Sequence, residues 1–292
     1  MSQRDLAVVV VSHNTRRHVL ALLDSLAADP EMSTWETVVI DNASTDGTVG
    51  AIASQHRSVH LMANNPQRGF AGALNQAAAL TTAPFIVTVN PDARVPVGTF
   101  AHRLRVLKAN PGVAAVGPLI RYPDGTVQRH GMFEPKPLTA LVVLLGLERV
   151  PFFRHEAERY YGLHIRGAPT PVDHLTGACL MFRREAFDAV GGFDEDRFFL
   201  YCEDVDWCLR ARQAGWKFLF VPEAEITHVK LAGAKTRGAF AIRQYYRSLR
   251  NFYAKHYGRS PLARRALWFA GAYLQEFRAL LVNAARGKGL RY

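Results

Sequence analysis

An α/β fold with a mostly parallel central sheet is what this 292-residue sequence predicts. Three observations carry that reading. Short apolar runs such as "LAVVVVS" (6–12) and "PFIVTVN" (84–90) alternate with helix-patterned stretches, the rhythm of βαβ units. Those runs are apolar at nearly every residue, as strands covered on both faces must be. Hydrophobic residues make up 49% and charged residues 21%, a globular composition able to fill a large core.

The elements follow in order. After the first strand, "TRRHVLALLDSLAA" places Val19, Leu22, Leu23 and Leu26 on one helical face. "WETVVIDN" (35–42) is a second strand, and "STDGTVGAIASQH" opens a helix after a Ser/Thr/Asp cap signal. "VHLMANN" is a third, short strand; "GFAGALNQAAALTT" is an Ala-rich helix; "PFIVTVN" is the fourth strand. A helix over "VGTFAHRLRVLKANP" and a strand over "VAAVGPLI" extend the pattern to about residue 120. "RYPDGTVQRHG" then reads as a hairpin turning at Asp124-Gly125. Residues 133–172 read as irregular. "GACLMFRREAFDAVGGFDE" is a strand and a short helix ending at Gly191-Gly192, "EDVDWCLRARQAGWKF" a helix, and "FLFVPEAEITH" a last strand pair. From 239 the chain is helical and basic. The expected organisation is a domain over 1–238, with halves 1–120 and 121–238, and a helical extension over 239–292.

Lys and Arg number 36 against 25 Asp and Glu, a formal net charge of +11. Such a chain expects anionic company: nucleic acid, acidic lipid or phosphorylated ligands. The three cysteines form no CxxC pair and no disulfide framework, which fits a reducing cytoplasm. The N-terminus lacks the features of a signal peptide. The longest apolar run, near 138–147, falls short of the roughly 20 residues that span a bilayer. The basic, aromatic-rich tail suits an anionic membrane surface; equally, it suits packing on the domain or in a homodimer.

Ligands of open parallel sheets bind beyond the carboxyl ends of the strands. Here those ends read "SHN" (12–14), "DNASTDGT" (41–48) and "NPDAR" (90–94). They supply acceptors for base N–H groups, hydroxyls and amides for ribose and phosphate, and in Asp92 a carboxylate for a metal.

Six segments in this order, "VVVVSHN", "VVIDNASTDGT", "NPQRGFAGALNQA", "VNPDARV", "LTGACLMFRREAFDAVGGFDEDRFFLYCEDVDWCLRARQAGW" and "ITHVKLAGAKT", strongly resemble glycosyltransferase family 2, in its bacterial rhamnosyltransferase-like branch. The match spans residues 6 to 240. It implies a GT-A fold, whose central sheet is Rossmann-like, with a nucleotide-sugar donor and inversion at the anomeric carbon.

By that resemblance Asp92 binds a divalent cation, Mn²⁺ or Mg²⁺, which bridges the donor diphosphate. The family's two-aspartate motif has Asn90 at its first position here. Asp41 resembles the base-reading aspartate, although an Asx turn before "NAST" explains it too. Ser12 and Asn14 would line the base and ribose pocket, with Asn42, Ser44 and Asp46 as further donor contacts, the last group serving equally as a helix cap. Arg68 and Asn75 flank a glycine loop whose following helix could face the nucleotide. "CEDVDWCLR" matches the family's acidic motif: Asp204 is the expected base and Glu203 its partner, while Asp206 and Arg210 read as structural. Thr176, Gly177 and Asp194 fall to the acceptor side. His228 completes the metal and diphosphate site, and Lys235 closes over the phosphates.

The implied reaction carries L-rhamnose from dTDP-rhamnose to a polyprenyl-linked or oligosaccharide acceptor in the cytoplasm, on the inner face of the cell membrane. UDP-hexose or galactofuranose transfer remains compatible. Nucleotidyl transfer would need a "GxGxR" loop, and "SHNTRR" stands in its place. As a non-enzymatic reading, a glycan- or nucleic-acid-binding module fits the charge. The basic residues, however, concentrate away from the strand ends, so nucleic acid is not an expected partner.

Overall fold

The computed structural model describes residues 4–128, 132–134, 139, 142, 146–147, 150–165, 167–229 and 238–286. Nine strands among them form one sheet in the order β3-β2-β1-β4-β8-β6-β9-β5, with β7 pairing β9. The first half is built as the sequence predicts. Strands β1 (Leu6–Ser12), β2 (Glu36–Asn42), β3 (His60–Asn64) and β4 (Phe85–Val89) pair in parallel. Their crossovers carry helices α1 (Arg16–Ala27), α2 (Thr48–Gln55) and α3 (Gly69–Ala79).

Every residue of β1 is buried, because its side chains serve two cores. Leu6, Val8 and Val10 pack with Val19, Leu22, Leu23 and Leu26 of α1 and with Phe100, Leu104 and Leu107 of α4 (Thr99–Ala109). Ala7, Val9 and Val11 face the other way, onto Ala71, Leu74 and Ala77 of α3. Strand β3, at the sheet edge, is half-exposed.

Beyond β4 the sheet turns mixed. Strand β8 (Cys179–Arg183) enters antiparallel between β4 and β6 (Val113–Arg121), with Val89 opposite Cys179 and Met181 opposite Val116. This pairing sets residues 176–178 against the outgoing end of β4, and Asn90 N–H donates to Ala178 O at 3.0 Å. The segment predicted as a strand pair is one strand, β9 (Lys217–His228), parallel to β6. Its register jumps between Pro118/Val221 and Leu119/Glu225. That jump bends it across the end of the sheet, where it pairs antiparallel with β5 (Ala93–Arg94) and sets His228 opposite Ala93. The stretch read as irregular contains α5 (Pro151–Tyr160), started by proline at its first turn, and β7 (Thr170–Val172). The hairpin at Asp124-Gly125 forms as expected: Arg121 bridges Val127, and Gly125 takes the left-handed φ of +82°. The three cysteines are free.

Helix α6 (Arg184–Ala189) follows β8, and α7 (Glu203–Gln213) buries Trp207, Cys208 and Ala211 in the second core. The C-terminal helices are α8 (Gly238–Tyr257) and α9 (Leu262–Arg286). Helix α8 is fixed to the sheet-bearing part of the chain. Ser248 Oγ donates to Leu200 O at 2.8 Å and Asn251 Nδ2 to Arg197 O at 2.8 Å. Lys255 Nζ and His256 Nε2 each lie 2.7 Å from Asp206 Oδ1, on α7. Helix α9 packs on α8 through a Tyr253–Trp268 stack with centroids 4.2 Å apart and an Arg250–Glu276 ion pair of 2.5 Å. No helix among the described residues is long and apolar enough to cross a membrane.

Candidate active site

Two groups of side chains meet at one cleft of about 1970 Å³ above the strand ends. The first comes from residues 136 positions apart. His228 Nε2 lies 3.1 Å from Asp92 Oδ1 and 3.2 Å from Asn90 Nδ2, because β5 and β9 pair beside the end of β4. On the far side of the ring, His228 Nδ1 is 2.9 Å from Gln128 Oε1. With Nδ1–H donating to Gln128, Nε2 turns its lone pair toward Asp92, the tautomer a metal ligand needs. All three of Asp92, His228 and Gln128 are buried.

The donor chemistry of this group suits a hard divalent cation, which takes one or two carboxylates and completes its shell with water and substrate phosphate. It offers one carboxylate and one imidazole nitrogen. Among the described residues no three or more His, Cys, Asp or Glu side chains cluster as metal ligands. Asp92 and His228 alone would therefore supply only part of a coordination shell, leaving the rest to substrate phosphate and water.

The second group starts α7. Tyr201 and Cys202 both hold left-handed φ angles, +70° and +65°. Two successive non-glycine residues in that region are strained, as functional turns commonly are. The turn presents Glu203 and Asp204 to the cleft. Asp204 Oδ2 accepts from Gly177 N at 2.6 Å and Oδ1 from Val205 N at 2.8 Å. Burial raises the Asp204 carboxyl above its usual range, against the lowering effect of these backbone donors. Burial, then the Asp204 charge, lifts Glu203 much further, and Glu203 Oε2 is buried with no partner among the described residues. Burial thus raises both carboxyls of this adjacent pair, a perturbation of the kind found at acid–base sites.

The remaining sequence candidates divide by what their polar atoms do. Asn42, Asn90, Asp92, Thr176, Gly177 and His228 line the cleft with Glu203 and Asp204. Ser12, Asn14, Asp41, Ser44, Arg68, Asn75 and Asp194 are not among its lining residues. Several of these knit the first two strand ends together. Asn14 N donates to Ser44 Oγ, Thr45 N to Asn14 Oδ1, and Arg16 N to Asp46 Oδ2. Ser12 Oγ pairs with Thr15 Oγ1 at 2.9 Å. Asp41 makes the Asx turn, with Oδ1 accepting from Ser44 N at 2.9 Å, and its Oδ2 is a buried acceptor with no partner. Asn42 ties the α3 entry to β2 by accepting from Arg68 N and donating to Gly69 O. Arg68 and Asn75 both bond Glu195, and Asn75 also bonds the Phe193 backbone. Asp194 accepts from Arg197 and Lys255, whose cations outweigh burial and hold its carboxyl below the usual range. Lys235 lies outside the described residues.

No motif in the sequence pointed to Gln128, nor to the part that α8 and α9 take in the cleft through Tyr245, Tyr246, Phe252 and Trp268. Gly69 has a second role beyond a flexible loop. Its φ is +73°, and an added Cβ would lie 2.7 Å from Phe199 Cδ2 and against Phe199 O, which accepts from Phe70 N. We expect Gly69→Ala to cost about 1–3 kcal/mol, read as a lowered Tm, because both backbone strain and the contact with 199 must be relieved.

The structural neighbours of this curled α/β sheet, with its cleft beyond the strand ends, are GT-A glycosyltransferases. The chain matches the family model "Glycosyl transferase family 2" over residues 7–191 and "Glycosyl transferase family group 2" over 150–285. It belongs to glycosyltransferase family 2. It is 32% identical over 274 residues to an N-acetylglucosaminyl-diphospho-decaprenol L-rhamnosyltransferase of Mycobacterium tuberculosis, covering 88% of this chain and 87% of that protein. It is 24% identical over 230 residues to the rhamnosyltransferase WbbL of Escherichia coli, covering 76% and 82%. Among solved structures, the mannosyltransferase PcManGT of Pyrobaculum calidifontis, in complex with GDP-Man and Mn²⁺, superposes with a TM-score of 0.58. Identity there is 25%, covering 98% of this chain and 76% of that one.

Proposed function

We propose that this glycosyltransferase moves L-rhamnose from dTDP-rhamnose, with inversion, to a polyprenyl-diphosphate-linked glycan in the cytoplasm. The observation that carries the reading is the shared cleft: Asp92 and His228 line it, and so do Glu203 and Asp204. The rhamnosyltransferase relatives supply the sugar and the decaprenol-linked relative the acceptor class.

Asp204 acts as the base. Its two oxygens each take one backbone N–H, which fixes the carboxylate while leaving lone pairs for the acceptor hydroxyl proton. Glu203 orients the acceptor, with Thr176 and Gly177 beside it, and Asp194 supports that side through the 193–197 turn. Asp41 reads the base N3–H with its unpartnered Oδ2. Ser12, Asn14, Asn42 and Ser44 shape that pocket, Arg68 and Asn75 brace it, and Lys235 meets the diphosphate. Asn90, Asp92 and His228 would hold a divalent cation, which when bound neutralises charge growing on the departing diphosphate.

Thermal stabilisation tests the donor site. At about 100 times its dissociation constant a ligand adds roughly 2.7 kcal/mol. We expect dTDP-rhamnose with Mn²⁺ or Mg²⁺ to raise Tm more than UDP- or GDP-sugars do, and Asp92→Ala to remove the metal-dependent part. No shift with any nucleotide would refute the transferase reading. A larger shift with a UDP-hexose would replace the donor.

A further inference from the structure

We propose that the outer face of α9 docks on an anionic bilayer and thereby sets the cleft against the membrane. Within residues 238–286 there are nine Lys and Arg and a single acid, Glu276, which is taken by Arg250. While Trp268 and Glu276 of α9 engage α8, the helix leaves Leu262, Leu267, Tyr273, Leu274, Phe277 and Leu281 exposed, Leu262 at 78% and Phe277 at 59%. At about 100° per residue these six fall within an arc of roughly 140°, one continuous stripe. Exposed Arg278 and Arg264 lie about 20° and 60° beyond one edge of it.

An apolar stripe bordered by arginines is the pattern of a helix lying in a bilayer interface. The side-chain stems rest along acyl chains and the guanidiniums reach lipid phosphates. A second copy of the chain is a poorer occupant, because flanking arginines would meet arginines. The same two helices line the cleft through Tyr245, Tyr246, Phe252 and Trp268. Docking would hold that wall where a lipid diphosphate headgroup lies; this last step rests on the proposed lipid-linked acceptor, while the docking itself does not.

The test is flotation of the full chain with vesicles of phosphatidylglycerol and phosphatidylcholine, or of phosphatidylcholine alone, at low and high salt. Wild type should float with the anionic vesicles only, and salt should release it. The double variants Leu274→Glu/Phe277→Glu and Arg264→Glu/Arg278→Glu should each weaken binding about tenfold or more, with Tm unchanged because these side chains are exposed. Three results would overturn the proposal: no flotation of wild type on anionic vesicles at low salt, flotation of the variants equal to wild type, or a dimer that the stripe variants break without change in flotation. Nucleotide thermal shifts on the same preparations separate the two ideas. A chain that floats but responds to no nucleotide sinks the transferase reading and leaves the dock standing.

Discussion

Asp204→Asn will abolish sugar transfer while leaving donor binding intact. The amide still accepts from Gly177 N or Val205 N, so α7 and the cleft wall keep their places. What is lost is the group proposed to remove the acceptor proton, a contribution of about 10²–10⁴ in rate. The measurement is kcat with labelled donor, alongside the nucleotide thermal shift. A variant with more than about a tenth of wild-type kcat would exclude Asp204 as base. The pH profile carries a second readout. Burial raises the carboxyl, so its working, ionised form is lost earlier as pH falls. The acid limb of kcat should therefore lie above the usual carboxylate range.

Asp206→Ala should produce the largest loss of stability. The carboxylate is fully buried and bonded to His256, Lys255 and Arg210. Removing it leaves cations facing one another in a poorly solvated place, a change of about 3 kcal/mol or more. For a chain of this size that corresponds to a Tm fall of roughly 6–12 °C. Burial alone would push the Asp206 carboxyl up, but bonds from His256 and Lys255 and the charge of Arg210 hold it below 3.8. A depressed folded-state value stabilises the fold above the ordinary carboxylate value. That stability drains away as pH drops below 3.8 and through the lower folded value. The variant should thus lose less Tm than wild type on acidification. It should also raise KM for the acceptor more than for the donor, since α8 walls the cleft. A Tm within a degree or two of wild type would show that α8 is held by its other contacts.

Most of the parallel half was legible because each of its strands is a short apolar run with a polar end, and each helix carries its own periodicity. Leu6 to Ser12 and Phe85 to Val89 could be placed from pattern alone. The antiparallel entry of β8 was not, since "CLMFR" is as apolar as a parallel strand and nothing local states its direction. The bend in β9 was read as a break between two strands. Pro222 suggests an interruption, but the structure absorbs it as a register jump opposite Pro118. At the site, Asp92, His228, Glu203 and Asp204 were found through motifs that sit at element ends. Gln128 was not, because its pairing with His228 spans 100 residues and a buried glutamine in a hairpin has no sequence signature. Arg68, Asn75 and Asp194 show the reverse. Their residue types fit ligand contacts, yet the structure gives their polar atoms to the 193–197 turn and to Lys255.

The pairing of β5 with β9 also bears on how such enzymes can be recombined. A chimera spliced near residue 120, between the two halves the sequence suggests, would draw Asn90 and Asp92 from one parent and His228 from the other. The short β5–β9 ladder would then join strands that had never been selected together. Exchanging the first 120 residues to import a new donor preference would put the Asp92–His228 contact at the seam. A swap meant to change only the nucleotide should instead stop before β4, leaving residues 85–94 with the parent that supplies β9.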